Sequence, residues 1–291
     1  MKVWKPIVFV IGLVLLLSLI IGWIALIIGF IAAMPFATFV FGKPLFAFVG
    51  AANVFFLVAL PIIGFIQFAA RHLFNKKTSG RTRTGMLLFW VFNVVSFFAN
   101  GSYIAREFNQ EGDLTQRVET LSFATDTIRL RMGNETAKNS LINIDNAKII
   151  DDNLVLQNIV IDFAKSKDDK FRLIQTHFSR GKNTSEIEQL TKAITYEPII
   201  SDHEIIFPAD FFIEKGSKWR GQKINIKLEV PEGKTIIFGD KNSNKLSDYI
   251  SRNAQWAKRI PSVSWHGKHI WTMQDEKFYS KADALQEVGS D

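Results

Sequence analysis

The chain has 291 residues, 47% of them hydrophobic and 22% charged, with a formal net charge of +7 and no cysteine. The charge is unevenly spread: residues 1–104 hold no Asp or Glu and eight Lys or Arg, whereas 105–291 hold 27 basic against 28 acidic residues. The basic excess thus sits in the apolar third, which excludes a nucleic-acid binder, whose positive charge must lie on a folded, water-facing surface; the missing thiols exclude a disulfide framework, thiolate zinc sites and iron–sulfur clusters.

Three apolar stretches come first, at 7–33, 45–70 and 86–104, of 27, 26 and 19 residues. A bilayer core about 30 Å thick needs roughly 20 helical residues, so all three are read as transmembrane helices and 1–104 as a three-helix membrane region. The first run is far longer than the apolar part of a cleaved signal peptide. The connection 71–85 carries Arg71, Lys76, Lys77, Arg81 and Arg83, whereas 34–44 carries only Lys43. Counting positive charges in short loops puts the N-terminus and 71–85 in the cytoplasm and everything after residue 104 on the extracytoplasmic side. This basic loop is also a surface for anionic lipid headgroups or a cytosolic partner.

Within the first helix, Ala25, Gly29 and Ala33 recur every four residues, a seam of small side chains where another helix can approach closely. It is read either as packing against the chain's own second helix or as an oligomerisation face. Asn53, Gln67, Asn93 and Asn100 are uncharged polar groups at membrane depth and are expected to make interhelical hydrogen bonds. No ionisable residue lies inside a span, which argues against a pump or carrier.

After a linker at 105–120 the pattern changes to alternation. Thr127-Ile128-Arg129-Leu130-Arg131-Met132 is a half-buried strand; a strand over 154–163 slips phase at Gln157–Asn158, as a bulge would. Further strands are expected at 171–178, 204–207, 223–230 and 235–238. Ser185 and Glu188 have capping-box spacing ahead of a helix whose apolar face is Ile187, Leu190 and Ile194. These elements make 121–255 a mainly-β domain with one packed helix, followed by an aromatic extension, 256–291, in which Trp256, Trp265 and Trp271 are expected to cap the end of the strand stack.

The chemistry of this domain is sparse. Asp240-Lys241-Asn242-Ser243-Asn244 begins like a calcium loop, but Lys245 stands where glycine is needed and Ser251 where glutamate is. His266 and His269 lack a third metal ligand. Asp151-Asp152 and Asp168-Asp169 are turn acids, and no nucleophile elbow, phosphate loop or dinucleotide fingerprint occurs. No catalytic residue, metal site or cofactor is expected, and the chain is read as non-enzymatic.

The phrase Lys218-Trp219-Arg220-Gly221-Gln222-Lys223, followed by a strand and Pro231-Glu232-Gly233-Lys234, resembles the strand–Pro-Glu-Gly–strand segment of PspC-related membrane proteins. Phe178-Ser179-Arg180-Gly181, Ile194-Thr195-Tyr196 and Ile270-Trp271-Thr272-Met273 add local matches. The resemblance implies a LiaI/LiaF-like transmembrane region followed by a toastrack, a β-helix-like module of stacked strands. It departs in one respect, since members commonly begin with a small PspC domain and this sequence starts at the membrane helices. What it implies is envelope-stress sensing or envelope maintenance at a bacterial cytoplasmic membrane. The alternative is an accessory or scaffold subunit of a larger membrane complex. The expected partners are the lipid bilayer and a protein in the membrane or periplasm, or a second copy of the chain.

Overall fold

The computed structural model describes residues 4–74, 79–135, 143–144, 147–238, 246, 250, 269–274 and 277–280. The chain divides into two compact units: Met1–Glu107 with Gly216–Trp219, and Phe108–Lys215 with Arg220–Asp291.

The first unit is built on three helices, α1 (Trp4–Phe41), α2 (Pro44–Phe74) and α3 (Gly80–Glu107). All three are long and apolar enough to cross a membrane. They are also longer than the apolar runs. Helix α1 continues through Pro35, whose missing N–H removes one hydrogen bond without ending the helix. The expected connection 34–44 therefore shrinks to Gly42 and Lys43. Gly42 takes φ +71, and its N–H bonds Thr38 O at 2.8 Å, a left-handed glycine cap. Pro44 then opens α2, where its fixed φ suits the first helical position.

Helix α2 packs against both α1 and α3. Ala47 and Gly50 are buried on it, and a Cβ on Gly50 would stand 2.1 Å from the Phe41 ring, so glycine is what lets that ring lie against the helix. Phe30 meets Phe55 at 5.0 Å between ring centroids, and Phe56 meets Phe89 at 5.3 Å. Many large apolar side chains of the three helices, Val14, Ile21, Ile28, Phe65, Leu88 and Phe92 among them, are more than half exposed, as a bilayer rather than water would require.

In the second unit the strands are β1 (Gln110–Leu121), β2 (Thr127–Met132), β3 (Asn143–Ile144), β4 (Ala147–Ile150), β5 (Asn153–Leu156), β6 (Ile159–Lys165) and β7 (Phe171–Gly181). After helix α4 (Thr184–Lys192) come β8 (Ile199–Ser201), β9 (Glu204–Phe207), β10 (Phe211–Ile213), β11 (Lys223–Val230), β12 (Thr235–Phe238), β13 (His269–Gln274) and β14 (Lys277–Ser280). They form three sheets with strand orders β1-β7-β11-β6, β10-β5-β4-β3 and β14-β13-β12-β2-β9-β8. Parallel pairing of β11 with β6, and of β2 with both β12 and β9, joins strands far apart in sequence, the habit of a stacked, β-helix-like module.

Alternation is obeyed where it was read. Ile128, Leu130 and Met132 face the core from β2, as do Ile224, Ile226 and Leu228 from β11. The phase slip at Gln157–Asn158 is a break between two strands in different sheets, not a bulge. The bulge is elsewhere, in β1 between Thr115 and Arg117, where the register with β7 shifts. Two boundaries move. α3 runs to Glu107 and β1 occupies most of the expected linker; its polar, largely exposed side chains gave no periodic signal, and its order comes from a ladder to β7. Likewise 269–274 and 277–280 are not an extension beyond the sheet but two of its strands, β13 hydrogen-bonded to β12 and β14 to β13.

Trp271 is therefore not a cap. It is fully buried, 4.6 Å from the Phe238 ring and 6.0 Å from Phe278, both of which also meet Phe163 of β6. Trp256, Trp265, His266 and the calcium-like loop from Asp240 lie outside the described residues. At the Pro-Glu-Gly turn, Lys234 N–H bonds Pro231 O at 3.2 Å with Gly233 at φ +75, a conformation that a Cβ disfavours. Asp151 and Asp152, at φ 48 and 65, make the hairpin turn between β4 and β5.

Candidate functional site

Of the basic residues singled out in the second connection, Arg71 lies near the end of α2, and Arg81 and Arg83 lie in the first turns of α3; all three are exposed. Lys76 and Lys77 fall outside the described residues. Ala25, Gly29 and Ala33 are exposed on α1, and a Cβ on Gly29 would meet nothing within 4 Å. This corrects their reading as a seam against the chain's own second helix: that close approach is made through Gly50 instead. The membrane-depth polar residues divide. Asn53 Nδ2 donates to Ser96 Oγ at 2.8 Å between α2 and α3, and Gln67 Nε2 reaches Met86 Sδ at 3.4 Å. Asn93 and Asn100 turn back to carbonyls of their own helix, Phe89 O and Ser96 O, one turn earlier, so they are not interhelical.

The phrase at 218–223 splits in two. Lys218 and Trp219 belong with the helices: Lys218 Nζ pairs with Glu107 Oε2 at 2.5 Å, and Trp219 N–H donates to Phe39 O at 2.9 Å. Glu107, the first acid in the chain, is only 3% exposed. The Lys218 stem lies against Gly42, where a Cβ would come within 2.8 Å of Lys218 Cγ, so this glycine is required by space as well as by φ. Arg220 and Gln222 belong to the β unit and are both 1% exposed; Arg220 stacks its guanidinium 5.0 Å from the Phe108 ring centroid, and its N–H donates to Gln222 Oε1 at 2.8 Å. The chain thus passes between the two units at 107–108, 215–216 and 219–220.

A buried polar column runs down β7. Its inward face begins with Phe171 and Leu173 and continues with Gln175, His177 and Ser179. His177 Nδ1 lies 3.0 Å from Thr191 O, a carbonyl that only accepts, so Nδ1 carries the proton. Nε2 then accepts from Gln175 Nε2 at 2.7 Å, whose other hydrogen goes to Tyr196 O at 3.0 Å. The arrangement suits neutral imidazole alone, and burial pushes the His177 pKa down, against a smaller opposing pull from the Thr191 carbonyl. Tyr196 OH extends the column to Pro208 O at 3.0 Å.

Helix α4 covers this column from β1 and β7. Ile187 sits over two glycines, 3.1 Å from the Cβ position of Gly112 and 3.0 Å from that of Gly181. Its N-cap is Asn183, not Ser185: Asn183 Oδ1 accepts from Glu186 N–H at 2.9 Å, while Glu186 Oε2 accepts from Lys182 N–H at 3.1 Å. The capping box is real but two residues earlier than read. Sequence reasoning placed His177 in a strand and assigned it no role; the signal was available, since alternation puts it on the face of Phe171 and Leu173. Among the described residues no group of three or more His, Asp or Glu is placed to hold a metal ion.

Three membrane-length helices followed by a stacked-strand domain define a membrane-anchored β protein. Residues 142–283 match a family model described as the toast rack found in some PspC proteins. The second unit therefore carries a toast-rack domain of the PspC C-terminal kind, and with the helices ahead of it the chain is consistent with a PspC-related membrane protein. No curated protein and no solved structure matches the chain.

Proposed function

We propose that the chain is a non-catalytic, membrane-anchored envelope protein that senses or maintains the state of the cytoplasmic membrane through an extracytoplasmic toast-rack domain. One observation carries this reading: the toast-rack match lies behind three helices able to span a bilayer. The orientation is supported by charge, since the connection 71–85 holds five Lys or Arg and the α1–α2 turn holds only Lys43. Deleting the gene and challenging cells with membrane-damaging agents tests the proposal. Altered stress-gene expression and reduced survival are expected; no change in either overturns it.

The exposed face of Ala25, Gly29 and Ala33 favours a second reading, that the chain is an accessory subunit whose α1 packs against another membrane protein. Purification in mild detergent separates the two. A stoichiometric co-purifying chain supports the accessory role, and a monodisperse species of this chain alone counts against it.

A further inference from the structure

We propose that the basic end of α2 and α3 holds an anionic glycerophospholipid in a defined cleft, rather than attracting headgroups diffusely. A cleft of about 880 Å³ opens between these helices, within the size range of small-molecule sites. Its walls include Pro61, Gly64, Phe68 and Trp90, and its rim carries Arg71 from α2 and Arg83 from α3.

Local chemistry explains why the cleft exists. Pro61 has no N–H to give to Leu57 O one turn back, and Trp90 Nε1 donates to that carbonyl instead at 3.1 Å. The indole is thereby fixed as one wall. Gly64, one turn on from Pro61, contributes no side chain, and a Cβ there would meet nothing within 4 Å. The cavity is thus mainly apolar, with Gln67 and Thr84 as its uncharged polar side chains and Arg71 and Arg83 as its cations.

The two guanidinium groups lack a counter-charge within the helices. Residues 1–104 contain no acid, and Glu107 is 24 residues beyond Arg83, about 36 Å along a helix. Whatever neutralises Arg71 and Arg83 comes from outside the helices. Arg71 directly follows the apolar run 45–70 and Arg83 lies three residues before the run 86–104, level with the headgroups of a spanning arrangement. The ligand that matches an apolar slot with paired cations at its mouth is a lipid whose phosphate binds the arginines and whose acyl chain lies along Pro61, Gly64 and Trp90. A net negative headgroup is preferred over a zwitterionic one, because the cleft supplies two positive charges and no acceptor carboxylate.

The test is native mass spectrometry of the full chain released from nanodiscs of equal phosphatidylglycerol and phosphatidylcholine. The wild type is expected to retain one phosphatidylglycerol. Arg71→Gln with Arg83→Gln should reduce its occupancy about tenfold or more, and Gly64→Leu, which fills the slot without changing charge, should do the same. Arg81→Gln, on the same helix but outside the cleft, should leave it unchanged; an unaltered gel-filtration profile checks that each variant is folded. Equal retention of both lipids by the wild type overturns the proposal. So does an Arg81→Gln loss matching that of the Arg71→Gln, Arg83→Gln double variant, or full retention by Gly64→Leu, since each would reduce the effect to general attraction at a basic surface.

Discussion

The helical unit and the β unit obey one rule in opposite solvents. Across α2 and α3, many large apolar side chains point outwards while Ala47, Gly50, Asn53 and Asn93 are turned in; across β2, β7, β11 and β12 the large apolar side chains are mostly withdrawn. The polar groups that each unit buries differ in cost accordingly. In the helices the Asn53–Ser96 hydrogen bond joins two elements that lipid already holds as helices. In the β unit the column of Gln175, His177 and Tyr196 sits among apolar neighbours that water would otherwise leave free to rearrange. The comparison teaches that apolar burial is the main source of stability in the β unit alone, and that its polar column, with a buried neutral His177, is where acidification acts on that stability.

Removing a buried aromatic should give the largest effect. Trp271→Ala opens a cavity among Phe163, Phe238 and Phe278 and is expected to destabilise the β unit by about 3–5 kcal/mol. Chemical denaturation of the purified full chain, followed by near-ultraviolet circular dichroism, reads it. A loss below about 1 kcal/mol would mean that 269–280 is peripheral to the core.

The next effect depends on pH. Because burial holds the folded-state pKa of His177 below the ordinary value near 6.5, the folded column excludes a proton that the unfolded chain accepts. Its contribution to stability is complete above about pH 6.5 and is lost progressively as pH falls towards the folded-state pKa. His177→Leu should cost about 1–3 kcal/mol at neutral pH by leaving Gln175 and the Thr191 carbonyl unmatched. It should also flatten the decline in melting temperature below pH 6.5. An identical pH slope in both proteins would remove His177 from the account.

Smaller is the cap. Asn183→Ala should weaken α4 by about 1 kcal/mol, whereas Ser185→Ala should change little, a contrast readable by the same denaturation experiment. Smallest is the membrane hydrogen bond: Asn53→Ala is expected to cost about 0.6 kcal/mol in detergent unfolding, the usual worth of such bonds between helices. A cost as large as that of His177→Leu would erase the distinction between the units.

Much of this was legible because each solvent leaves its own period. Unbroken apolar runs marked the three helices, and alternation marked β2, β7, β11 and β12. What stayed hidden lacks a local signal. Strand β1 has few apolar residues and is fixed by its partner β7. Helix α1 crosses Pro35 into residues 36–41, a mostly apolar, uncharged segment whose aromatic and β-branched residues carry no helical signal of their own. The pairing of Lys218 with Glu107 joins positions 111 residues apart, and no spacing rule reaches that far. Arg71 and Arg83 were visible as charges; the cleft between them depends on Pro61, Gly64 and Trp90, which the sequence showed only as apolar residues.

The central claim is that the toast-rack domain works on the far side of the membrane from the connection 71–85. The cysteine-free chain allows a direct measurement: single cysteines at Ser79 and at Ser201, exposed in β8, labelled with a membrane-impermeant maleimide in cells whose outer barrier is permeabilised. The account predicts that Ser201→Cys labels and Ser79→Cys does not until the cytoplasmic membrane is lysed. Labelling of Ser79→Cys with protection of Ser201→Cys would contradict it.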